Sequence, residues 1–192
     1  MEKLFEEIEK YQKLSPECKR ELSALVVPKF IAKNDFFLRQ GAVPDTYAFV
    51  TKGLFSYYHS SDNGDNVIKK FFGAHSFMAS TSALLQQQPS HFSICALEDS
   101  EILVYPDKEF RQLMEKYHEL TLFQLKYLEI NWVIAKENLE ISLKYETSKQ
   151  RYSTFRTEYH TIEPRLKQHQ IASYLGITPT QLSRIRRDLE KL

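Results

Sequence analysis

The pattern of apolar and polar positions changes several times along the chain. Near the start, apolar side chains recur at the three- and four-residue spacing of a helix, and Ser15 followed by Pro16 predicts the start of a second helix. From about Val26 to Tyr105, short apolar and aromatic runs are broken by turn-forming residues. Regular punctuation of this kind predicts an all-β sandwich or barrel behind two short leading helices.

The clearest β-hairpin in this region joins the run 53–59 to the run 66–72 through turn-forming residues at 61–65. Between Gly73 and His91 the β pattern gives way to small residues that tolerate a helix. Strands resume at 92–97 and 101–105. We therefore expect residues 1–106 to form a β-roll, a double-stranded β-helix of the jelly-roll type, with its leading helices.

The next segment predicts a long helix. No Gly or Pro occurs between Pro106 and Pro164, and apolar residues occupy more than one helical face. A helix of about 25 residues with two apolar faces needs two packing partners, and one of them is expected to be the same helix of a second copy. Residues 107–145 are thus predicted as a dimerisation helix; the alternative is a helix enclosed within one monomer.

Composition is that of an ordinary globular protein, so intrinsic disorder is excluded. The sequence lacks an apolar run long enough to span a bilayer, and acidic residues stand where a signal peptide would be apolar. A cytoplasmic protein without a membrane partner is expected. Two cysteines, Cys18 and Cys95, are too few for a disulfide framework, an iron-sulfur cluster or a four-thiolate zinc site, and no metal is predicted.

Charge is distributed unevenly along the chain. Residues 144–192 carry ten Lys and Arg against five acids, whereas the chain before them has an excess of acids. A positive field at one end favours a phosphate-bearing partner such as nucleic acid, although a basic tail can also be a solvated helical face.

The segment 168–189 has the spacing of a helix-turn-helix. Ala172 is small enough for a second helix to cross closely, Gly176 supplies the left-handed turn, and Ile177 fills the angle between the helices. Thr178 and Gln181 form a capping box with Pro179 at the first helical position. Residues 146–192 are therefore predicted as an all-α DNA-binding domain; the alternative is a purely structural helical hairpin.

The polar residues of the second helix suit a reader of the major groove. Arg can bind guanine, Gln can bind adenine, and hydroxyls bind bases or phosphates. Arg186, Lys167, Arg165 and Lys191 are assigned to the phosphate backbone. The predicted DNA-binding residues are Thr178, Thr180, Gln181, Ser183, Arg184, Arg186, Arg187 and Lys167.

Nearly the whole chain resembles the CRP/FNR transcription factors, and it is particularly similar to short members of the Bacteroidetes type. The matching segments are 39–41, 49–53 and 96–99 in the roll, the long helix, 150–152 after it, and 170–187. The resemblance implies an α+β fold with a cyclic-nucleotide-binding-like roll, a homodimer built on the long helix, an effector-binding roll, and paired recognition helices on double-stranded DNA. RNA polymerase is a further candidate partner.

The sequence departs from the family where cyclic nucleotides bind. The family's Gly-Glu pair aligns near Phe77-Met78 and its Arg-Ser pair near Ser90-His91, so the carboxylate and the guanidinium are both missing. Loss of the charge that would neutralise a phosphate argues against cyclic AMP, and the effector is unknown or absent. The alternative for the roll's aromatic residues is simple core packing. The candidate effector residues are Phe72, Phe77, Met78, Ser90, His91 and Phe92.

The recognition helix departs from the family as well. Members that read a TGTGA-type half-site use Arg and Glu where this chain has Pro179 and Thr180, and only Arg184 matches, so a different operator is expected. The sequence ends five residues after Arg187, without the β-hairpin wing that usually follows, which predicts fewer phosphate contacts.

Two other classes of function compete. The six histidines show no metal-ligand spacing, and no nucleophile motif or phosphate-binding glycine loop occurs, so an enzyme is not expected. A ligand-sensing or protein-interaction roll with degenerate DNA binding remains the alternative. It predicts that Arg184 and Gln181 can be replaced without loss of activity.

Overall fold

The computed structural model describes residues 1–190. Helices α1 (Glu2–Glu9) and α2 (Pro16–Leu25) come first, as the apolar spacing predicted. The Ser15 hydroxyl accepts a hydrogen bond from the Cys18 amide at 3.3 Å, which confirms the predicted cap. Each helix buries its apolar side against the β-roll and the helices that follow it.

The roll consists of two four-stranded antiparallel sheets. The strands are β1 (Val27–Ile31), β2 (Phe36–Leu38), β3 (Thr46–Lys52), β4 (Leu54–Ser60), β5 (Asn66–Gly73), β6 (Phe77–Met78), β7 (Ser93–Ala96) and β8 (Ser100–Pro106). The strand orders of the two sheets are β1-β8-β3-β6 and β2-β7-β4-β5. Helix α3 (Thr81–Gln86) lies between β6 and β7, in the segment where the β pattern lapsed.

The two sheets enclose one apolar core. Val50 and Ile102 from the first sheet meet Phe55, Phe72 and Ile94 from the second, and all five side chains are buried. Alternation along each strand sends every second side chain into this core. The predicted hairpin is confirmed as β4 paired with β5, and the fold is α+β, as expected.

The segment 107–145 is not one helix, which corrects the prediction. Helix α4 (Asp107–Lys116) ends where Tyr117 adopts an extended conformation, and it packs onto the roll by burying Phe110 and Leu113. The Tyr117 hydroxyl donates a hydrogen bond to Glu21 on α2 at 2.9 Å, which helps to hold this break in place. Tertiary packing overrides the local helix preference here.

A continuous helix does run from His118 to Tyr145, as α5 (His118–Leu128), a π-helical turn (Glu129–Ile134) and α6 (Ala135–Tyr145). The π-turn begins where the Asn131 side chain donates hydrogen bonds to the Tyr127 carbonyl and the Tyr11 hydroxyl, at 3.1 and 3.0 Å. A side chain that enters the backbone ladder in this way widens a helix locally. The large apolar side chains exposed along it are Leu125, Ile130, Val133, Ile134, Leu139, Ile141, Leu143 and Tyr145.

The chain then returns to the roll. Leu54, Ile68 and Phe71 on the outer face of β4 and β5 form a buried cluster with side chains of the last helices. Among residues 1–190, no helix is both long and apolar enough to cross a membrane. The closing elements are α7 (Ser148–Glu158), a 3-10 turn (Glu163–Arg165), α8 (Gln168–Leu175) and α9 (Pro179–Leu189).

Gly53, between β3 and β4, allows a test of how closely the backbone of this turn approaches Ser100 in the roll. Its φ is +117°, and a Cβ at this position would lie 2.8 Å from the Ser100 Cα atom. Because both the backbone angle and a fixed backbone atom oppose a side chain, we expect Gly53→Ala to lower the free energy of unfolding by about 3 kcal/mol or more. Urea denaturation measures this change.

Gly41 is the matched control, because its φ is +86° but a Cβ at this position would have no other atom within 4 Å. Gly41→Ala is expected to cost about 1–2 kcal/mol from the backbone angle alone. Equal losses in the two variants would contradict the close approach of Ser100.

Candidate functional site

Helices α8 and α9 form a tight pair around a short turn. Gly176 ends α8 in the left-handed conformation with φ of +66°, as predicted, and the amide of Ile177 bonds to the Ala172 carbonyl at 3.0 Å. Leu182 on α9 is fully buried against α8 and the roll. The geometry therefore agrees with the crossing that Ala172 was expected to allow.

The outer face of α9 carries the predicted polar residues. Thr180, Ser183, Arg184 and Arg187 are exposed, on the side away from Leu182. Within residues 1–190, neither Arg184 nor Arg187 takes part in an ion pair. These two guanidinium groups are thus available to an external partner.

Lys167 belongs to the same surface. It is exposed at the start of α8, and the side chain of its neighbour Gln168 donates a hydrogen bond to the Pro179 carbonyl at 2.6 Å. Gln168 also lies 3.3 Å from the Ser183 hydroxyl. These bonds place the start of α8 beside the first turn of α9.

The capping box is present and has a consequence for recognition. The Thr178 hydroxyl accepts a hydrogen bond from the backbone N–H of Gln181 at 3.2 Å. In return, the side-chain oxygen Oε1 of Gln181 accepts a hydrogen bond from the backbone N–H of Thr178 at 2.9 Å. A Gln side chain that makes a bidentate contact with adenine accepts a hydrogen bond through Oε1 and donates one through Nε2. In this conformation Gln181 has only its Nε2 donor free, so the expected adenine contact requires the capping bond to open.

Arg186 differs from the expectation that it contacts phosphate. Its Nε donates to the Tyr152 hydroxyl at 2.8 Å, and Nη2 lies 3.3 Å from Glu163. Tyr152 in turn donates to Glu163 at 2.6 Å, and burial raises the pKa of this tyrosine, so that it stays a neutral donor. Arg186 therefore faces α7 and the 3-10 turn, where the buried Tyr152 hydroxyl and the half-buried Glu163 carboxylate accept its hydrogen bonds.

A second residue assigned to phosphate, Arg165, is also engaged. Its guanidinium forms an ion pair with Glu98, in the turn between β7 and β8. The assignment of Lys191 falls outside the described residues. Lys167 is exposed and, within residues 1–190, takes no part in an ion pair.

Ser173 on α8 fastens the helix pair to the free edge of β5. Its hydroxyl accepts from the Ile68 amide at 3.0 Å and donates to the Asn66 carbonyl at 2.5 Å. Beside it, the Phe71 ring packs against rings of Phe155 and Tyr174, with centroids 6.4 and 5.8 Å away. Backbone groups at a sheet edge need partners, and a side chain of α8 supplies them here.

Arg151 is a positioning residue that the sequence analysis did not assign. It donates to the Glu146 carbonyl at the end of α6 and reaches the Leu175 carbonyl at the end of α8, at 2.8 and 3.4 Å. One guanidinium thus connects the long helix with the turn before α9. Sequence spacing gave no signal for this link, because the two carbonyls are far apart in the chain.

The six candidate effector residues do not share one cavity. Phe72, Phe77 and Met78 line a space of about 30 Å³ between the roll and α5, which holds little more than one water molecule. Ser90 is buried, and its hydroxyl bonds to Ser80 and to the Phe92 backbone. The small size of the cavity and the satisfied Ser90 hydroxyl agree better with core packing than with a preformed nucleotide site.

Two lysines that the sequence analysis did not select lie beside these residues. A β-bulge in β5, opposite Tyr57 and Tyr58, leaves Lys69 without a strand partner. The Lys69 ammonium lies 4.8 Å from the Phe92 ring centroid and 5.4 Å from that of Trp132 on the π-turn. The Lys70 ammonium lies 5.6 Å from the Phe72 ring centroid. A regular strand would have sent one of the two side chains to each face.

Comparison with known families agrees with the architecture of the roll. Residues 28–117 match the family model "Cyclic nucleotide-binding domain". This stretch of the chain is therefore similar to a cyclic nucleotide-binding domain. The match extends through α4, the helix that packs directly after β8. A comparison with curated proteins found no match.

Solved structures extend the likeness beyond the cyclic nucleotide-binding domain. FixK2 from Bradyrhizobium japonicum is 16% identical, with 86% of this chain and 85% of that chain covered and a TM-score of 0.71. A CooA variant from Carboxydothermus hydrogenoformans is 17% identical, with 97% and 84% covered and a TM-score of 0.69. The catabolite activator protein of Thermus thermophilus is 17% identical, with 93% and 84% covered and a TM-score of 0.58. The chain shares their fold.

The placement of Arg186 leads to a test by substitution. Arg186→Gln removes a charged donor from the Tyr152 and Glu163 acceptors, so we expect it to lower the free energy of unfolding by about 1 kcal/mol. Arg187→Gln, one residue further on the exposed face, should change it by less than about 0.5 kcal/mol. Urea denaturation of both variants measures the difference. A loss confined to Arg187→Gln would contradict the inward placement of Arg186.

Proposed function

We propose that the chain is a dimeric, sequence-specific DNA-binding transcription regulator of the CRP/FNR type, with the roll as its sensor domain. The observation that carries this proposal is the exposed face of α9. A capped helix presents Thr180, Arg184 and Arg187 at successive turns of one side, with neither guanidinium engaged in an ion pair within residues 1–190. Such a face suits the major groove, where guanidinium groups bind guanine and hydroxyls bind bases or phosphates.

Support also comes from the kind of protein that shares the fold. The similar structures include a catabolite activator protein and a c-di-GMP-responsive global regulator from Xanthomonas campestris. The resemblance in 170–187 adds the helix-turn-helix pattern of the CRP/FNR factors. We propose that this chain acts on DNA in the cytoplasm, without enzymatic activity, and that RNA polymerase is a partner when bound to the promoter.

Dimerisation is proposed through the long helix. Apolar side chains such as Ile134 and Ile141, one heptad apart, are more than half exposed along α5, the π-turn and α6. Exposed apolar area of this extent marks an interface, and two copies of one helix can cover it with two-fold symmetry. A two-fold dimer would present two copies of α9 to successive major grooves, about 34 Å apart.

The DNA-binding proposal predicts different effects for two basic residues. Arg184→Ala should weaken operator binding by about tenfold to a hundredfold and relax the preference at particular base pairs, because a base contact is lost. Lys167→Ala should weaken binding to all sequences and reduce the slope of log K against log salt by about 1, because a phosphate contact is lost. Selection from random duplex DNA, followed by fluorescence anisotropy, measures both effects.

Lys29→Ala is the control, since Lys29 is exposed on β1, away from α9. It should leave the binding constant unchanged. Selection without an inverted repeat, together with unchanged binding by Arg184→Ala, would favour the alternative of a sensor or protein-interaction protein.

The dimer proposal predicts dissociation when charge is placed on the apolar face. Ile134→Glu combined with Ile141→Glu should convert a dimer into a monomer at micromolar concentration, because burying two unpaired carboxylates costs more than the interface contributes. Sedimentation velocity measures the change. Lys136→Glu, on a different side of α6, should remain dimeric. A monomeric wild-type chain, or a double variant that stays dimeric, would refute this interface.

A further inference from the structure

Glutamine closes the start of three helices in the last part of the chain. Gln150 in α7, Gln170 in α8 and Gln181 in α9 each stand at the third helical position. In each case Oε1 accepts a hydrogen bond from the backbone N–H of the residue before the helix, at 2.8, 2.8 and 2.9 Å. In α7 and α9 a threonine hydroxyl also accepts from the backbone N–H of the glutamine, which completes a capping box. The oxygen of Gln181 is thus engaged by its own helix.

The cap leaves Gln181 with one free polar group. The side chain is exposed, and within residues 1–190 no hydrogen bond engages its Nε2. An amide nitrogen carries two N–H donors and no acceptor. In the capped conformation the amide therefore offers a donor to a partner, and the bidentate contact that needs oxygen and nitrogen together is lost.

The neighbouring groups of α9 are mainly donors as well. Arg184 and Arg187 carry donors only, and neither takes part in an ion pair within residues 1–190. The Ser183 hydroxyl accepts from Gln168 Nε2 at 3.3 Å and keeps its own proton to donate. The single acid of α9, Asp188, lies in its last turn, whereas the first turns of a recognition helix approach the base edges.

A donor distinguishes bases by the groups that they present in the major groove. Guanine O6 and thymine O4 are keto oxygens and accept hydrogen bonds. Adenine N6 and cytosine N4 are amino groups and donate. An amide N–H directed at an amino group would place two donors against each other. A lone donor therefore favours the keto bases, guanine and thymine, over the amino bases.

We propose that Gln181 is a specificity-determining residue that reads a keto base, guanine or thymine, through Nε2, while Oε1 keeps the capping bond. The inference rests on the proposed function and deepens it, because it names the class of base that one position of the operator must present. It replaces the expected adenine contact, for which the cap would have to open.

Gln181→Glu tests this assignment, because glutamate keeps the cap and exchanges the donor for an acceptor. One carboxylate oxygen can accept from the Thr178 N–H, as Glu commonly does in capping boxes, and the other then accepts where Nε2 donated. Adenine N6 takes the place of guanine O6 on the base edge, and cytosine N4 takes the place of thymine O4. Selection from random duplex DNA should therefore show guanine or thymine at one position for the wild type, and adenine or cytosine there for the variant.

Fluorescence anisotropy with four duplexes that differ only at this position measures the change as a ratio of dissociation constants. The ratio cancels any uniform repulsion between the new carboxylate and the phosphates. The wild type should bind the keto base about three- to tenfold more tightly than the amino base of the same ring size, and Gln181→Glu should reverse this order.

Gln150→Glu is the matched control, because it makes the same exchange in the capping box of α7. It should keep the base preference of the wild type. Both variants should melt no lower than the wild type, since a glutamate at the third position caps the helix and is attracted by its positive end.

A wild-type preference for adenine or cytosine at the position that Gln181→Glu alters would overturn the inference. A base preference that Gln181→Glu leaves unchanged would also overturn it, as would a melting temperature lowered in Gln181→Glu but not in Gln150→Glu. In these outcomes the wild type still selects a site, so the proposed function stands. A wild type that selects no sequence would refute the proposed function itself, and the inference with it.

Discussion

Strand β5 is buried on both faces where Phe71 and Phe72 follow each other, and the relation between the roll and the last helices depends on this pair. Phe72 points into the roll, whereas Phe71 points outward into the cluster formed with α7 and α8. Most sheet strands in a small antiparallel sandwich have one face in water. Here the outer face of the second sheet is apolar at Leu54, Ile68 and Phe71, and exposing it would leave a large apolar patch. The helix pair covers this patch.

This packing also fixes where the exposed face of α9 can lie. The edge of β5 is closed by Ser173, and the turn before α9 is tied by Arg151 to the end of the long helix. A shift of α8 along β5 would break hydrogen bonds as well as apolar contacts. Because packed cores hold discrete arrangements and deform little, any change in the position of α9 must come as a concerted change at β5 and at the long helix.

Features set by local sequence were predicted, and features set by distant contacts were not. The β4-β5 hairpin, the Gly176 turn and the capping box of Thr178 and Gln181 follow from residues close in the chain. The break at Tyr117 depends on Glu21 in α2, and the π-turn at Asn131 depends on Tyr11, which follows α1. A helix-forming sequence without Gly or Pro does not reveal these distant partners. The inward placement of Arg186 depends on Glu163 in the same way.

The bulge at Lys69 could not be predicted from the sequence. The alternation of inward and outward side chains along a strand assumes a regular register and does not show where an extra residue is inserted. Phe72 points inward and Phe71 outward, so a regular strand would turn Lys70 inward and Lys69 outward. Alternation alone therefore does not predict that both lysines lie beside the inner aromatic residues.

The net charge of residues 144–192 exaggerates how much positive charge this part of the chain presents to the outside. Of the basic residues after position 143, Arg151 binds backbone carbonyls, Arg165 pairs with Glu98, and Arg156 and Arg186 both approach Glu163. These guanidinium groups hold the helix pair together and to the roll. The positive field outside is correspondingly weaker than the count suggests, since paired charges contribute little at a distance. Under the proposed function, affinity for DNA would rest on the few free groups of α9 and the start of α8. The two-fold axis of the proposed dimer would double these groups, so DNA binding would depend on dimerisation.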